Sequence, residues 1–424
     1  MNRERTHISN DEAKRMLDAG ESIENAVIDR ISVAKKKYAN PITIIECTIE
    51  TLDLNRCEFE QLVTIRRCKI KHLILRSAVF HDKCDFKGSR LTRCKASRAK
   101  FEGGLKCDSA ELHASFFKAE FHKKVEFGWS TFHGELNLAD VVIRGDLDFR
   151  YAHVKGEVKL EGAECHGRAV FSHVSIDGAL KCRDTKWHDE LKLNFAQIGL
   201  DADFFGSKLG ASTDLSNTSV GRKLNFGNVE LGDLQEFWLT GVVASSYNLG
   251  RNTVEGRIAP ERVGKWQAAI REYSFLRSTF QSINQFEDED WAYYQLRRME
   301  RKSLSWANPI TAVRRFFNWL FVDLSCGYGT KPFRALGACA LIMLAFAVLF
   351  FFSIGPSGSP HDYGFSAGTN NVIYALDTSI TAFSGDYSGA ELQGKWRIAG
   401  MIEFLMGIVY LGLFIVAFSR KVIR

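Results

Sequence analysis

Between residues 41 and 231 the apolar positions recur with a period of eleven. Ten nine-residue windows begin at Lys124, Glu135, Asp146, Glu157, Arg168, Ala179, Glu190, Asp201, Ser212 and Lys223, each eleven residues after the last. Positions 2, 4, 7 and 9 are mostly apolar or small, as in KVEFGWSTF from Lys124 and ELKLNFAQI from Glu190. Apolar residues two apart predict short strands with one face turned inward. Gly134, Gly145, Gly156, Gly167 and Gly178 each precede a window. They are expected to form the corners, which other residues enter at a steric cost. Upstream, to residue 41, the beat is looser. A short fixed period without helical spacing predicts a solenoid. Two units make about one four-sided turn, so 41–240 is expected to hold about nine coils in a rod roughly 40 Å long.

Outside this region the period changes. Ser9, with Glu12 three residues on and Gly20 at the end, predicts a helix over 9–20 that covers one end of the rod, so that residues 1–40 hold this cap and the start of the solenoid. From 255 to 330, Trp266, Ile270, Tyr273, Leu276 and Phe280, and then Trp291, Tyr294 and Met299, follow helical spacing and predict a hairpin. Asn308 to Ser325 places Phe316, Phe317, Trp319 and Phe321 beside Arg314 and Arg315, the composition of a helix lying at a membrane interface.

Residues 331–424 hold two apolar runs, Phe333 to Ile354 and Ile398 to Phe418. About 20 apolar residues suffice to cross the hydrocarbon as a helix. Arg314, Arg315, Lys331 and Arg334 precede the first run, and Arg420, Lys421 and Arg424 follow the second, whereas 357–394 has acids but no Lys or Arg. The positive-inside rule then places both termini in the cytoplasm of an inner cell membrane, with the connecting segment outside. Lys395 and Arg397 run against this. Within the connecting segment, Asn370 to Phe383 is apolar enough for a helix too short to cross, and so predicts a re-entrant segment.

The net charge of +6 and 25% charged residues are ordinary. Of the ten cysteines, Cys47, Cys57, Cys68, Cys84, Cys94, Cys107, Cys165 and Cys182 fall on apolar positions of the repeat. They read as small buried hydrophobes, not disulfides, and with no CxxC no zinc site is expected. No nucleophile motif, phosphate loop, metal cluster or cofactor motif marks an enzyme. From Gln61 to Lys100 there are twelve Lys and Arg against Asp82 and Asp85. Arg66, Arg67, Lys69, Arg90, Arg93 and Arg98 therefore form a basic strip, either a solvated face or a surface for an anionic ligand or cytoplasmic partner.

The eleven-residue units resemble the pentapeptide-repeat family, which implies a right-handed quadrilateral β-helix. The order span, short helix, polar loop, span is similar to the two-transmembrane potassium-channel superfamily. That resemblance implies a homo-tetramer in a membrane, in which carbonyls of four loops strip a permeant monovalent cation of its water. Against the pattern TTVGYGD, Thr381 matches the second Thr, Gly385 the second Gly and Asp386 the Asp. Phe383 stands where the first Gly belongs, and Ser384 where the Tyr belongs. An offset alignment instead puts Gly385-Asp386 on the Gly-Asp of less selective cation filters. Thr378, Thr381, Ala382, Phe383, Ser384, Gly385 and Asp386 are thus the expected filter, with Glu391 and Asp362 near its mouth. Glu403 and Gly407 match a carboxylate and glycine of the second span, as pore brace or gate. A second glycine-rich piece, CGYGT at Cys326 to Thr330, precedes the first span and reads as a turn. GYGTKPFR, Gly327 to Arg334, resembles the junction in proteins that join pentapeptide repeats to this module. The expected function is a cation channel with a cytoplasmic solenoid. The alternative is a non-conducting membrane-anchored scaffold.

Overall fold

In the computed structural model of the chain, residues 6–352, 370–385 and 395–422 are described. It divides into two compact units, Met1–Glu289 and Asp290–Arg424.

The first unit is a β-solenoid of about 11 turns whose ladders are all parallel. It begins at Thr6–His7, within the 1–40 expected to hold its start, and ends at Val243–Asn248, just past residue 240. From Glu120 to Asp203 each coil contributes four two-residue strands. Two repeat units make one coil here, so Val125 pairs with Leu147 and Leu147 with Ala169. Upstream, six-residue strands such as Lys69–Ile74 and Arg90–Lys95 serve two adjacent ladders in one piece. The coil is then one corner residue shorter, and Thr48 pairs with Lys69 and Lys69 with Arg90. Glu111–Ser115 is the changeover strand, pairing with both Thr131–Phe132 and Leu136–Asn137. The looser upstream beat therefore reflects a shorter coil rather than a decayed repeat.

The core is a set of columns, because each inward residue lies over its counterpart in the next coil. Tyr38, Phe59, Phe80, Phe101 and Phe121 stack with ring centroids 4.9–5.4 Å apart. Phe127, Phe149 and Phe171 form a second run at 4.9 Å. These rings are fully buried, each contributing on the order of 2–3 kcal/mol of transfer free energy. Two columns of small residues carry hydroxyls and thiols that donate to carbonyls of the coil before. Ser89 donates to Ile65 at 2.8 Å, Thr185 to Leu160 at 2.8 Å and Cys57 to Val33 at 2.8 Å. All ten cysteines are unoxidised and buried. Burial pushes the Cys94 and Cys165 thiols up to about 12, which leaves almost no reactive thiolate at neutral pH.

The glycines before each window lie at corners between strands, as expected, and the steric cost there comes from the neighbouring coil. Gly134, Gly156 and Gly178 lie in one column without positive φ; a Cβ on Gly156 would stand 2.6 Å from the Gly134 carbonyl carbon. They are needed for the close approach of successive backbones. The left-handed corners fall elsewhere and are mostly non-glycine, including Trp129, Asp140, Tyr151, His173, Asp184 and Phe195.

Each end of the solenoid is met by a helix. α1 (Asn10–Ala19) starts at Ser9, whose hydroxyl accepts from the Glu12 N–H, and stops at Gly20 in the left-handed conformation. Asn10 accepts from the Arg30 N–H, so α1 satisfies a strand group of the first coil. At the other end come α2 (Arg251–Val254), α3 (Ala259–Arg262) and α4 (Trp266–Ser282). Glu272 of α4 is fully buried and accepts from the Leu239 N–H at 2.8 Å and the Thr240 hydroxyl. Burial raises its pKa against these two hydrogen bonds, which lower it. Glu272→Ala should leave that N–H without a partner and lower the stability of the last coils by about 2–3 kcal/mol. Thermal unfolding followed by far-UV circular dichroism reads this, with Glu272→Gln, whose amide oxygen can still accept from that N–H, recovering most of the loss.

α5 (Phe286–Ser303) runs from the first unit into the second. α6 (Pro309–Phe317) begins at an Asn308 cap and passes into a π-helical stretch, Asn318–Leu324. Ile310, Val313, Phe316, Phe317 and Trp319 are all exposed. Gly327, Tyr328 and Gly329 then adopt three successive left-handed conformations, so CGYGT is a tight turn. The unit closes with α7 (Pro332–Phe351), α8 (Asn370–Ser384) and α9 (Lys395–Val422).

Candidate functional site

α7 and α9 are long and apolar enough to cross a membrane, and only 28% and 22% of their most apolar stretches are buried. The core helix of a soluble protein would be mostly covered. Here Leu341, Leu344 and Val348 of α7 and Leu405, Ile408, Ile415 and Val416 of α9 are exposed. α8, at 15 residues, rises only about 22 Å and cannot span.

α8 is held between the other two along its small, polar face. The Ser379 hydroxyl donates to the Met343 carbonyl of α7 at 2.7 Å and also meets the Glu403 carboxyl of α9. Glu403 is fully buried, and its other oxygen has no hydrogen-bond partner among the described residues. Glu403 therefore bridges α9 to the back of α8. Ala375 and Ala382 pack with Phe350, against Trp396 and Ala399. Phe383 joins Cys339, Ile342 and Tyr410 in a second cluster.

Two glycines set the fit at the end of α8. Gly385 ends the helix at φ +82, and a Cβ there would meet the Phe404 ring at 2.4 Å. Gly407 lies under the Phe383 carbonyl, where a Cβ would stand 2.6 Å from the oxygen. Gly412 on the same helix has nothing within 4 Å.

Five of the residues expected to form the filter are part of α8. Thr378, Thr381, Ala382, Phe383 and Ser384 are helical, so their backbone does not form an extended strip of free carbonyls. The Thr378 hydroxyl turns back to the Tyr374 carbonyl at 2.8 Å, and the Thr381 hydroxyl to the Asp377 carbonyl at 2.9 Å. Phe383, 7% exposed, occupies the core of the three-helix packing rather than a glycine position of a filter. Burying Ala382 and Phe383 prolongs the helix to Ser384. Only Gly385 leaves it. Asp386, Glu391 and Asp362 lie outside the described residues.

A polar cluster escaped the sequence reading. Asp323, 8% exposed, accepts from the Tyr294 hydroxyl at 2.8 Å and pairs with Arg301 at 2.6 Å. Arg420, in the last turn of α9, pairs with Asp290 of α5 at 3.2 Å and lies 4.1 Å from the Tyr293 ring centroid. α5 is thus tied both to the π-helical stretch before α7 and to the end of α9. The available signal was Asp323 itself, the sole charge between Arg315 and Lys331.

Three of the six residues of the basic strip are paired with carboxylates. Arg66 pairs with Asp85 at 2.5 Å, Arg67 with Glu46 at 3.2 Å and Arg90 with Glu111 at 2.6 Å. Two of these acids lie outside 61–100 but only one coil away in space. Lys69, Arg93 and Arg98 are exposed. Half of the strip is therefore a charge-alternating face, in which each exposed pair contributes little.

No family model, curated protein or solved structure matches the chain.

Proposed function

We propose that the chain is one subunit of a homo-tetrameric membrane channel for monovalent cations. In this reading α7 and α9 span an inner membrane, and α8 is a re-entrant pore helix whose filter follows Gly385. The termini and a right-handed, four-sided solenoid of the pentapeptide-repeat kind lie in the cytoplasm. The observation that carries the reading is α8: an apolar helix too short to cross, braced between two span-length helices by Ser379, Glu403 and Gly407. Val372, Ile373, Leu376 and Ile380 on its other side are exposed and apolar, which suits lipid or neighbouring subunits. The attachment of α5 to the end of α9 through Asp290 and Arg420 supplies a route by which a force on the solenoid would reach the gate.

The test is potassium and sodium flux in liposomes containing the purified chain, alongside the mass of the detergent-solubilised assembly. Flux well above empty liposomes from a tetramer is expected, altered in rate when residues 41–231 are deleted. A tetramer without flux would favour the anchored scaffold. A monomer without flux would end the proposal.

A further inference from the structure

Each downstream coil turns through two left-handed corners, and the two columns they form use different residues. One reads Lys118, Asp140, Gly162, Asp184, Gly206 and Asn228, mostly types that tolerate positive φ. The other, in the same coils, reads Ser109, Trp129, Tyr151, His173, Phe195 and Asn217. Four aromatic residues in succession hold φ of 57–59°. The coil imposes this φ at its left-handed corners, as at Glu46, Arg67 and Arg98, and a bulky side chain enters it at a steric cost. Burial does not account for these four, since Trp129 is 65%, Tyr151 45% and Phe195 48% exposed.

The rings stack in a ladder on the outside of the solenoid. Centroids are 4.3 Å apart from Trp129 to Tyr151, 4.9 Å from Tyr151 to His173 and 4.9 Å from His173 to Phe195. Inner rings have both faces covered by neighbours. Trp129 has one face on Tyr151. On its other side the corner column continues with Ser109 and Gly88, too small to cover an indole. Beside this gap lies a groove of about 340 Å³, lined by Trp129 and Tyr151 together with Lys87, Asp108, Glu126 and Arg150. Lys87 is exposed and has no carboxylate within salt-bridge distance among the described residues, whereas Arg150 is paired with Asp148. One flat apolar surface, a rim of ion-paired side chains, among them Asp108, Glu126 and Arg150, and an unneutralised cation are thus gathered at one end of the ladder.

We propose that this notch binds a nucleotide, its base stacking on the free face of Trp129 as the next rung over Ser109 and Gly88. A nucleobase offers a planar face to the indole and a polar edge to the charged rim. A plain aromatic hydrocarbon would strip water from that rim without replacing its hydrogen bonds. Lys87 takes the phosphate. The site is independent of the conduction reading.

The experiment is isothermal titration of the full chain in detergent with adenosine 5′-monophosphate and guanosine 5′-monophosphate. Ribose 5-phosphate serves as a baseless control and adenosine as a phosphate-free one. Saturable binding of at least one nucleotide is expected, with adenosine weaker and ribose 5-phosphate not binding at the same concentrations. Trp129→Asn, which suits a left-handed corner as Asn217 does, should weaken binding at least tenfold. Trp129→Phe should restore most of it, and Lys87→Ala should weaken the nucleotide but not adenosine. No saturable binding at millimolar nucleotide, equal binding of ribose 5-phosphate, or unchanged affinity in Trp129→Asn with an unaltered melting curve would overturn the proposal.

Discussion

Gly156→Ala is expected to disrupt the middle of the solenoid, although it adds a single methyl group. The new Cβ would lie 2.6 Å from the Gly134 carbonyl carbon and 2.7 Å from the Glu135 nitrogen. Both are backbone atoms, which cannot rotate aside as a side chain would. Two coils must separate, and the parallel hydrogen bonds on either side of the corner stretch with them. The cost should exceed about 3 kcal/mol, beyond the usual range for overpacking a core. Far-UV circular dichroism during heating, with limited proteolysis to locate the break, measures it. Gly250→Ala is the control, since that glycine has open space around it. A Gly156→Ala protein that melts with the parent would show that the coils are further apart than described.

The second large effect is expected at Gly407→Ala. In an exposed helix interior this exchange would stabilise by up to about 1 kcal/mol. Here the opposite sign is expected, because the methyl group would enter the space of the Phe383 carbonyl, 2.6 Å away. α8 would have to leave its seat on α9, and the contact of Ser379 with Glu403 would go with it. Alkylation of Cys339, which packs against Phe383, should rise when read by peptide mass spectrometry. Ion flux, if the channel reading holds, should fall by tenfold or more. Gly412→Ala on the same helix should change neither. Equal alkylation in both variants would mean that Gly407 does not set the packing of α8.

How much of this was legible in the chain depended on the range of the interaction concerned. The alternation of Val125, Phe127, Ser130 and Phe132 announced its own burial, because strand side chains alternate whatever surrounds them. Ser9, Glu12 and Gly20 marked α1 for the same local reason. The role of Gly156 was not local. Its sequence neighbours suggested a turn, while the constraint comes from Gly134, a full coil earlier. Charge balance is non-local in the same way. Arg67 and Arg90 look unbalanced along the chain, but Glu46 and Glu111 are their neighbours in space. At the candidate site, aligning Phe383 and Ser384 with filter positions treated them as backbone donors of carbonyls. Their environment instead makes Phe383 a packing residue, and α8 keeps its hydrogen bonds to that point. The aromatic column is visible as position six of alternate windows. It is easily passed over, because the repeat signal lies in the inward positions.

The division of the solenoid into equal layers has an implication for how such a chain can change length. A downstream coil bonds only to the layers before and after it. Excising one whole layer would therefore bring two equivalent layers together with every ladder still in step. Removing half a layer would instead set each face against a different one, so that Phe127 would meet Leu160 and not another Phe. Growth and loss by whole layers is thus the route open to this architecture, and the same arithmetic makes the reach of the domain adjustable without redesigning its interior.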